Sequence, residues 1–508
     1  MDAKIAFTVI SVIALVILRY TIKLANRYWF RPKNIEKRLR ELGLKGNPYR
    51  IIFGDAKDVV AMRRQLTSKP MELSDDITPR ILPYQRLMAQ KYGKKFFIWF
   101  GTKLRLTIMD PVLVKEILSR PNEFRKPKND KMGEVLAGGL FSSDGNTWTK
   151  HKKILNPSFH MDKLKNMVPS IVESCLEMMA KWNMALASKE SVEMDMMPEI
   201  ETLLNYVMCK TVVTGEISEE TKKIYQLRIT VNQQSGKLAK FMFFPGWWHL
   251  PFQEVKIMKA AHNETQSLVK KIVTRRLGEM KNGASNKGDI LSLMLEAYQD
   301  EASGVSLHDV IEECRSFHFV GPESTTRSQI WMMYLLAKHP EWQERARQEV
   351  FKVFGDKKPN MEGLHQLKIV TMIMYEALRL YPPTGIFHRS ISRETKLGDM
   401  VLPAWIQVTI PITLMHHDPD IWGKDATQFN PERFAEGVFN SKMQLLTFTG
   451  GPRKCTGQSM AVVIHKTVIA TLLQGFSFEL SPSYLHAPKH SFLLTPLHGM
   501  KLLVRKFA

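Results

Sequence analysis

The chain has 508 residues, 44% hydrophobic and 24% charged, so it is long and apolar enough to bury a large core without disulfides or a structural metal. Its four cysteines are scattered and form no C-x-x-C pair, which argues against a disulfide framework or a zinc site and favours a reducing, cytosol-facing location. The net charge of +22 favours an anionic membrane surface or an acidic protein as partner; the chain has no nucleic-acid motif, and we expect no nucleic-acid partner.

The N-terminus begins with an uncharged apolar run, residues 5–18, which extends through residue 22 if Arg19 reaches the interface. A signal-peptide core is the alternative, but no small-residue cleavage site follows. Instead, eight basic residues follow the run of residues 5–18, namely Arg19, Lys23, Arg27, Arg31, Lys33, Lys37, Arg38 and Arg40. Such a flank stays in the cytoplasm, so we expect a single-pass anchor, with an interfacial aromatic and a hinge at residues 29–32.

After the anchor, residues 34–42 have a short helical pattern and residues 96–110 read as a hairpin around Gly101-Thr102-Lys103. Residues 111–382 are mostly helical in pattern. Strand-like pieces follow at residues 385–410 and near the C-terminus, in "FSFEL" and "MKLLVRKF". The patterns predict one large, mainly α domain with minor β after the anchor.

The longest helical pattern contains an unusual stretch, "HFVGPESTTRSQ" at residues 318–329. A proline inside a helix costs about 3 kcal/mol. Pro322 has no N–H, so the carbonyl of His318 loses its usual partner and is free to bind water. Neutral drift at a tolerant kink is the plain alternative.

A second unusual stretch, "FTGGPRKCTG" at residues 448–457, places Cys455 between a glycine-rich loop and an apolar helix. Amide N–H groups at a helix start stabilise a thiolate. The glycines leave room for a flat, bulky group, Gly457 lets the helix backbone come close, and Arg453 can pair with an acid of that group. A cysteine near glycines, taken alone, is more often a buried structural thiol.

The complete pattern F-x-x-G-x-R-x-C-x-G resembles the cytochrome P-450 family and is matched by Phe448, Gly451, Arg453, Cys455 and Gly457. The resemblance implies a cytochrome P-450 fold with haem b between a long central helix and the Cys-bearing helix, and with Cys455 as the axial thiolate ligand of the iron. Such a ligand favours O–O cleavage. The resemblance covers essentially the whole chain: residues 1–30 would be the anchor and its flank, and residues 31–508 the haem-thiolate catalytic domain.

The family's E-x-x-R signature fits Glu376 and Arg379. The spacing alone is weak evidence, because such pairs are usually solvated. Two other pairs share it, Glu312 with Arg315 and Glu344 with Arg347. Glu376 stands out because it lies in an apolar helix that ends in two prolines. By the resemblance, Arg433 of "FNPERF" completes a buried structural charge cluster with this pair.

Four donors resemble the family's contacts to the haem propionates: Trp148 and Lys152 in "WTKHK", Arg389 in "FHRSIS", and Arg453. Lysine replaces the more common arginine at 152. Taken alone, Trp148 would be read as a core aromatic and Lys152 as a solvated charge.

The family's central helix carries [AG]-G-x-[DE]-T-[TS], whose acid and alcohol relay protons during oxygen activation. The matching residues here are Val320, Gly321, Pro322, Glu323, Ser324 and Thr325. Val320 is bulkier than usual and Ser324 replaces threonine. The resemblance therefore gives the catalytic role to Glu323, Ser324 and Thr325, with the effect of the departures left open.

The opening residues 31–55 and the segment 92–118 resemble the plant clan that includes secologanin synthase, whose members oxidise terpenoids, including hormones. We therefore expect a monooxygenase of the endoplasmic reticulum membrane, facing the cytosol, that hydroxylates a lipophilic plant metabolite. The chain has no flavin or nicotinamide motif, so NADPH electrons would come through NADPH-cytochrome P-450 reductase. A haem-thiolate isomerase or lyase that needs no dioxygen, and a non-catalytic haem- or ligand-binding protein, are the alternatives.

Overall fold

The computed structural model describes residues 3–127, 131–238, 246–283, 288–437, 445–490 and 492–507. Helices predominate and the strands are short, which confirms the mainly α architecture with minor β. The chain forms two compact units. The first consists of Met1–Leu66, Leu82–Pro127 and Phe387–Pro411, and the second of Thr67–Ile81, Lys128–Ile386 and Ile412–Ala508.

The first unit begins with a long N-terminal helix. Ala3–Ala25 is helical, Asn26–Phe30 forms a π-helical turn, and Arg31–Glu41 continues as an α-helix. The apolar part has a mean hydropathy of 1.9 and none of it is buried, so by length and composition it can cross a membrane. Pro32 lies in the first turn of Arg31–Glu41, and the chain is helical on both sides of it, with the π-helical turn directly before that helix. The hinge predicted at residues 29–32 stays a prediction.

The π-helical turn is held by a neighbouring loop of the same unit. The hydroxyl of Tyr49 donates to the carbonyl of Tyr28 at 2.9 Å. The backbone N–H of Tyr49 donates to the carboxylate of Glu36 at 3.1 Å. Because both contacts come from one tyrosine, the turn and the following helix are fixed to the same loop.

A five-stranded sheet forms the core of the first unit, in the order Lys45–Gly46, Lys95–Phe100, Lys103–Ile108, Gln407–Ile410 and Phe387–Ser390. The predicted hairpin is confirmed: Phe100 pairs with Lys103, and Gly101 adopts φ +63° in the turn. Thr395–Leu397 and Met400–Leu402 form a second hairpin. The other helices of the unit are Ala56–Thr67, which ends at the unit's boundary, Pro83–Tyr92 and Pro111–Ser119.

The second unit is built mainly of helices, which the apolar patterns of residues 111–382 predicted. Its α-helices are Thr78–Ile81, Lys131–Leu136, Gly139–Ser142, Gly145–Leu155, Met161–Ala185, Met196–Met208, Glu219–Leu238, Gln253–Lys281, Ile290–Gln299, Leu307–Lys338, Pro340–Phe354, Met361–Gln366, Ile369–Leu380, Ile412–His416, Pro419–Trp422 and Gln458–Gly475. Shorter helical turns lie at Asn156–Phe159, Cys209–Val213, Trp247–His249, Glu301–Ser303, Pro431–Phe434 and Gly451–Arg453.

The longest helix of this unit, Leu307–Lys338, is called the central helix below. It begins with a capping box in which Ser306 and Asp309 each bond the other's backbone N–H. It runs as one α-helix through Pro322, and most of its side chains from Val310 onward are buried. It packs against Met196–Met208, Gln253–Lys281 and Ile369–Leu380.

The strands of the second unit are few. Ser191–Asp195, Lys501–Lys506 and Phe476–Leu480 form an antiparallel sheet with Lys501–Lys506 in the middle. Pro488–His490 pairs with Leu494–Pro496. The strands predicted from "FSFEL" and "MKLLVRKF" are thus confirmed and are direct neighbours.

Candidate functional site

The ten residues 448–457, called the Cys455 loop below, are closed by one backbone hydrogen bond. The N–H of Cys455 donates to the carbonyl of Phe448 at 2.9 Å. Between them, Thr449 and Gly451 have φ of +58° and +67°, which turn the chain sharply. The loop leads directly into Gln458–Gly475, whose first turn is joined to it by a 2.9 Å bond from Ala461 N–H to the carbonyl of Gly457.

Cys455 differs from the other cysteines in exposure. Cys175, Cys209 and Cys314 are buried, whereas Cys455 is exposed. Burial raises the pKa of Cys175 and of Cys209 to about 12, and raises that of Cys314 further. Because the thiolate is the form that binds metal, the three buried thiols are poor candidates and Cys455 is the good one.

Beside the loop, one indole ring lies against two cations. The guanidinium carbon of Arg453 is 4.3 Å from the ring centre of Trp148, and the ammonium of Lys152 is 5.0 Å from it. Lys152 also donates to the carbonyl of Pro452 inside the loop. Three of the four predicted propionate donors therefore lie together at the Cys455 loop, and the helix Gly145–Leu155 positions two of them.

The polar atoms of this cluster suit a cofactor that carries carboxylates. Arg453 pairs with Asp144 and donates to the carbonyl of Ser143 at 3.2 Å. Its Nε is buried and has no hydrogen-bond partner within the described chain. Burial lowers the pKa of Lys152, and the positive charges of Lys454 and Arg453 lower it further. A carboxylate here would satisfy the orphaned Nε and relieve the repulsion between the cations, so the residues fit haem.

Arg389, the fourth predicted donor, lies in strand Phe387–Ser390 of the first unit. It is buried, its Nη1 donates to the carbonyl of His388 at 3.1 Å, and its guanidinium is 5.0 Å from the ring of Phe387. Its contact with a propionate stays a prediction.

On the central helix, Glu323 is held by three side chains. One carboxylate oxygen accepts from Nη2 of Arg327 at 2.8 Å. The other accepts from the amide of Asn232 at 2.9 Å and lies 3.2 Å from Nε of Arg228. The predicted acid is thus buried inside an ion cluster, and Asn232 and Arg228 both come from helix Glu219–Leu238.

The carbonyl that Pro322 leaves without a helical partner is bound by a side chain. Nη1 of Arg228 donates to the carbonyl of His318 at 3.4 Å. From the sequence we expect this carbonyl to be free to bind water. In the structure, the guanidinium of Arg228 donates to it instead. Part of the cost of Pro322 is therefore offset, because the carbonyl is not orphaned.

The hydroxyls after Glu323 bond to carbonyls of the central helix. Ser324 Oγ donates to the carbonyl of Val320 at 3.0 Å, and Thr325 Oγ1 donates to that of Gly321 at 2.8 Å. A methyl group on Gly321 would come within 2.4 Å of the terminal methyl of Met208, so that flexible side chain would have to move. Both hydroxyls thus donate to carbonyls of the turn that contains Pro322.

The three charged residues predicted as a structural cluster also lie together. Arg379 makes two bonds to Glu376, at 2.7 and 2.8 Å, and both side chains are fully buried. Its other donors reach the carbonyls of His416, Ala426 and Gln428. Arg433 lies 3.5 Å from Glu376 and donates to the carbonyls of Trp422 and Asp425. One carboxylate thus gathers two guanidiniums that hold the intervening backbone.

His416 joins this cluster to the segment that leads into the Cys455 loop. Its Nδ1 is 3.1 Å from the carbonyl of Arg379, and its Nε2 accepts from the N–H of Leu446 at 3.0 Å. Burial, and then the positive charges of Arg379 and His417, lower the pKa of His416 to about 3. The ring is therefore neutral and bridges the two segments with one donor and one acceptor.

Sequence reasoning missed four residues that shape the site: Glu201, Arg228, Arg327 and Asn232. Arg327 was within reach of a pattern, because it follows Glu323 by four residues on one helix face. The other three come from two other helices, Glu201 from Met196–Met208 and both Arg228 and Asn232 from Glu219–Leu238, and nothing local marks them as partners of the central helix.

The chain is similar to proteins of one family over its whole length. A family model described as "Cytochrome P450" matches residues 78–503. The chain is 40% identical to "Cytochrome P450 72A15" of Arabidopsis thaliana, with 100% of both chains covered. It is also 40% identical to "Cytochrome P450 72A397" of Kalopanax septemlobus, over 95% of each chain, and to "Cytochrome P450 72A68" of Medicago truncatula, over 96% of each chain.

Proposed function

The chain belongs to the cytochrome P450 family, whose members are haem-thiolate monooxygenases, and we propose on that premise that it hydroxylates a lipophilic plant metabolite of the terpenoid class. We assign the electrons to NADPH, delivered by NADPH-cytochrome P-450 reductase. One observation carries the assignment of the site. The Cys455 thiol is exposed, and two residues before it the buried Nε of Arg453 has no hydrogen-bond partner within the described chain.

In this proposal Cys455 holds the haem iron through its thiolate. When bound, haem supplies the centre at which dioxygen is activated. The bond from Cys455 N–H to Phe448 fixes the turn that presents the thiol. Phe448, Gly451 and Gly457 shape the loop around the cofactor, and amide groups near the start of Gln458–Gly475 stabilise the thiolate charge.

Four donors orient the cofactor through its carboxylates. Arg453, Lys152 and Trp148 act from one cluster, and Arg389 is proposed as the fourth. Arg453 offers its buried Nε while it keeps its contact with Asp144. Charged hydrogen bonds of this kind are short and directional, so they fix the cofactor in one orientation.

The central helix is proposed to supply protons to the reaction. Ser324 is the hydroxyl that donates them, Glu323 is the acid that resupplies it, and Thr325 is the rival hydroxyl. In the structure Ser324 Oγ donates to the carbonyl of Val320, so in this proposal the hydroxyl leaves that carbonyl when it gives up its proton.

Replacement of the thiol tests the assignment of Cys455. The reduced, CO-bound protein is expected to show the red-shifted Soret band of haem-thiolate proteins, and Cys455→Ala is expected to lose it. Cys175→Ala is the matched control, because Cys175 is fully buried. A Cys455→Ala protein that retained the band would overturn the assignment.

The apolar helix near the N-terminus supports membrane anchoring, and the basic residues that follow it support an endoplasmic reticulum membrane with the catalytic domain in the cytosol. Protease added to sealed microsomes is expected to digest the domain. Full protection of the domain would contradict this topology.

The substrate class has its own test. A panel of diterpenoids, triterpenoids and iridoids is added to the ferric protein, and binding is followed by the shift of the Soret band. We expect the ligands that bind to be converted to product, and we expect this conversion only when NADPH and the reductase are both present. Turnover without NADPH would indicate an isomerase or lyase instead.

A further inference from the structure

A second glutamate accompanies the acid of the central helix. Glu201, on helix Met196–Met208, lies 3.4 Å from Nη2 of Arg228. Its carboxylate is also 3.9 Å from Nη2 of Arg327, the same nitrogen that bonds Glu323 at 2.8 Å. Since two guanidiniums contact both carboxylates, Glu201 and Glu323 are neighbours in one cluster of two acids and two bases.

The cluster is placed by the irregularity of the central helix. Arg228 reaches the carbonyl of His318, which lacks a helical donor because residue 322 is proline. This bond sets the guanidinium beside Glu323 and leaves its Nη2 for Glu201. Pro322 thus creates the acceptor that docks the arginine between the two acids.

The two acids differ in their access to solvent. The side chain of Glu201 is 13% exposed, whereas those of Glu323 and Arg228 are 4% and 3% exposed. Glu201 is therefore the outer member of the pair.

The groups that face Glu201 come from two helices: Glu323 and Arg327 from the central helix, and Arg228 and Tyr225 from Glu219–Leu238. Burial raises the pKa of Glu201, and so does the negative charge of Glu323, against the opposing charges of Arg327 and Arg228. Glu201 therefore holds its proton to a higher pH than an exposed glutamic acid.

We propose that Glu201 passes protons from solvent to Glu323, and that Arg228 is the positioning residue that holds the two carboxylates together. The inference rests on the proposed role of Glu323 in proton supply. In each transfer Glu201 gives one proton to the Glu323 carboxylate and regains one from water, directly or through an intervening water molecule. No electron moves and no other reactant is consumed. Arginine keeps its protons, so the two guanidiniums only hold the path.

The test uses the full-length holoprotein with reductase in vesicles, and dioxygen as the only oxidant, without an organic substrate. Dioxygen then takes up two protons and two electrons to give hydrogen peroxide, or four of each to give water. Fewer protons at the site shift the products toward peroxide. A positioned proton donor contributes about 10²-fold or more, and a relay one step removed should contribute less, so we expect Glu201→Gln to raise the ratio of peroxide to water about 10-fold.

Three measurements separate a proton path from a structural ion pair. The ratio is followed over a pH series, in which Glu201→Gln should show a profile different from that of the parent. Glu201→Asp should restore part of the parent ratio. In the resting ferric protein, without turnover, infrared titration should show a carboxylic acid C=O band that Glu201→Gln removes. Glu199→Gln is the matched control, because Glu199 lies on the same helix and bonds the indole of Trp182.

The outcomes are distinguishable. If Glu201→Gln keeps the parent ratio at every pH and Glu323→Gln raises it, the inference fails and the proposed role of Glu323 stands. If Glu323→Gln also keeps the parent ratio, the role of Glu323 itself fails. The CO-bound Soret band reports correct folding of each variant, and the infrared band decides the protonation of Glu201 even if Glu201→Gln does not fold, because Glu201→Asp should shift the band.

Discussion

The second unit buries two clusters of glutamate and arginine, around Glu376 and around Glu323, and they hold their charges differently. In the first, Arg379 bonds the fully buried Glu376 carboxylate, Arg433 also pairs with the more exposed Asp425 carboxylate, and other donors of the two arginines bond backbone carbonyls. In the second, two carboxylates that are both largely buried share two guanidiniums: Arg327 bonds Glu323 at 2.8 Å, and the other charged contacts are 3.2 to 3.9 Å long. The same residue types thus hold backbone segments together around Glu376, whereas around Glu323 they form the cluster for which we propose a proton path.

The largest effect on stability is expected at the cluster around Glu376. Arg379→Ala leaves the Glu376 carboxylate buried beside only Arg433, and loss of one partner of a buried ion pair costs about 3–5 kcal/mol. The free energy of unfolding, measured in urea, should fall by that amount, with loss of the haem-bound form. Arg345→Ala is the control: its pair with Glu432 is exposed, and such pairs contribute about 1 kcal/mol or less. Equal effects would mean that burial does not distinguish the clusters.

The next effect is expected on proton supply. Ser324→Ala removes a positioned donor, a loss of about 10²-fold that corresponds to nearly 3 kcal/mol. Hydrogen peroxide formed per NADPH should rise while substrate affinity is nearly unchanged, and Ser324→Thr should keep or lower the peroxide yield if the site accepts the methyl group. Thr325→Ala is the matched control, since its hydroxyl bonds Gly321 in the same way. A rise with Thr325→Ala alone would move the donor by one residue.

Pro322→Ala is expected to stabilise the protein. It restores an N–H to the carbonyl of His318, and the gain should stay below the full cost of a helical proline, about 3 kcal/mol, because Arg228 already bonds that carbonyl. Urea unfolding measures the change. Arg228→Met should cost less in the Pro322→Ala background than in the parent, by about 0.5–1.5 kcal/mol. Equal costs would show that Arg228 does not compensate for Pro322.

The last prediction concerns pH and the cluster around Glu376. The folded-state pKa of His416, about 3, lies below its ordinary value of 6.5, so its contribution to stability is complete above pH 6.5 and is lost as the pH falls toward 3. The slope is about 1.4 kcal/mol per pH unit for one histidine. His416→Asn should flatten the pH dependence of unfolding by that slope, and the exposed His498→Gln should leave it unchanged. Parallel curves for His416→Asn would contradict the neutral bridge.

What the sequence predicts well is local. The Cys455 loop carries its five fixed positions within ten residues, and the hairpin at residues 95–108 follows from alternation around a glycine turn. Residues close in sequence are forced to be close in space, so a local pattern is enough to place these positions in one loop and one hairpin. The E-x-x-R spacing shows the limit. All three such pairs form ion pairs, and only burial separates them: the glutamate side chain is 0% exposed at 376, 18% at 312 and 52% at 344.

What the sequence cannot predict is the partner from another helix. Arg228 and the carbonyl of His318 are 90 residues apart, and Asn232 and Glu323 are 91 apart. Their contact depends on how Glu219–Leu238 lies against the central helix, which no local pattern specifies. The sequence shows that residue 322 has no N–H, but it does not show that Arg228 donates to the carbonyl of His318 in its place.

The π-helical turn at Asn26–Phe30 has a mechanical consequence. A π turn adds one residue to a helical turn, and at 3.6 residues per turn one residue corresponds to a rotation of about 100°. The apolar helix before the turn is therefore rotated about its axis relative to the helix after it. The hydroxyl of Tyr49 holds the turn through its bond to the carbonyl of Tyr28. Deleting one residue from the turn would rotate the apolar helix about its own axis relative to the sheet of the first unit. The rotational position of the apolar helix relative to that sheet thus depends on the five residues of the π-helical turn and on the Tyr49 hydroxyl.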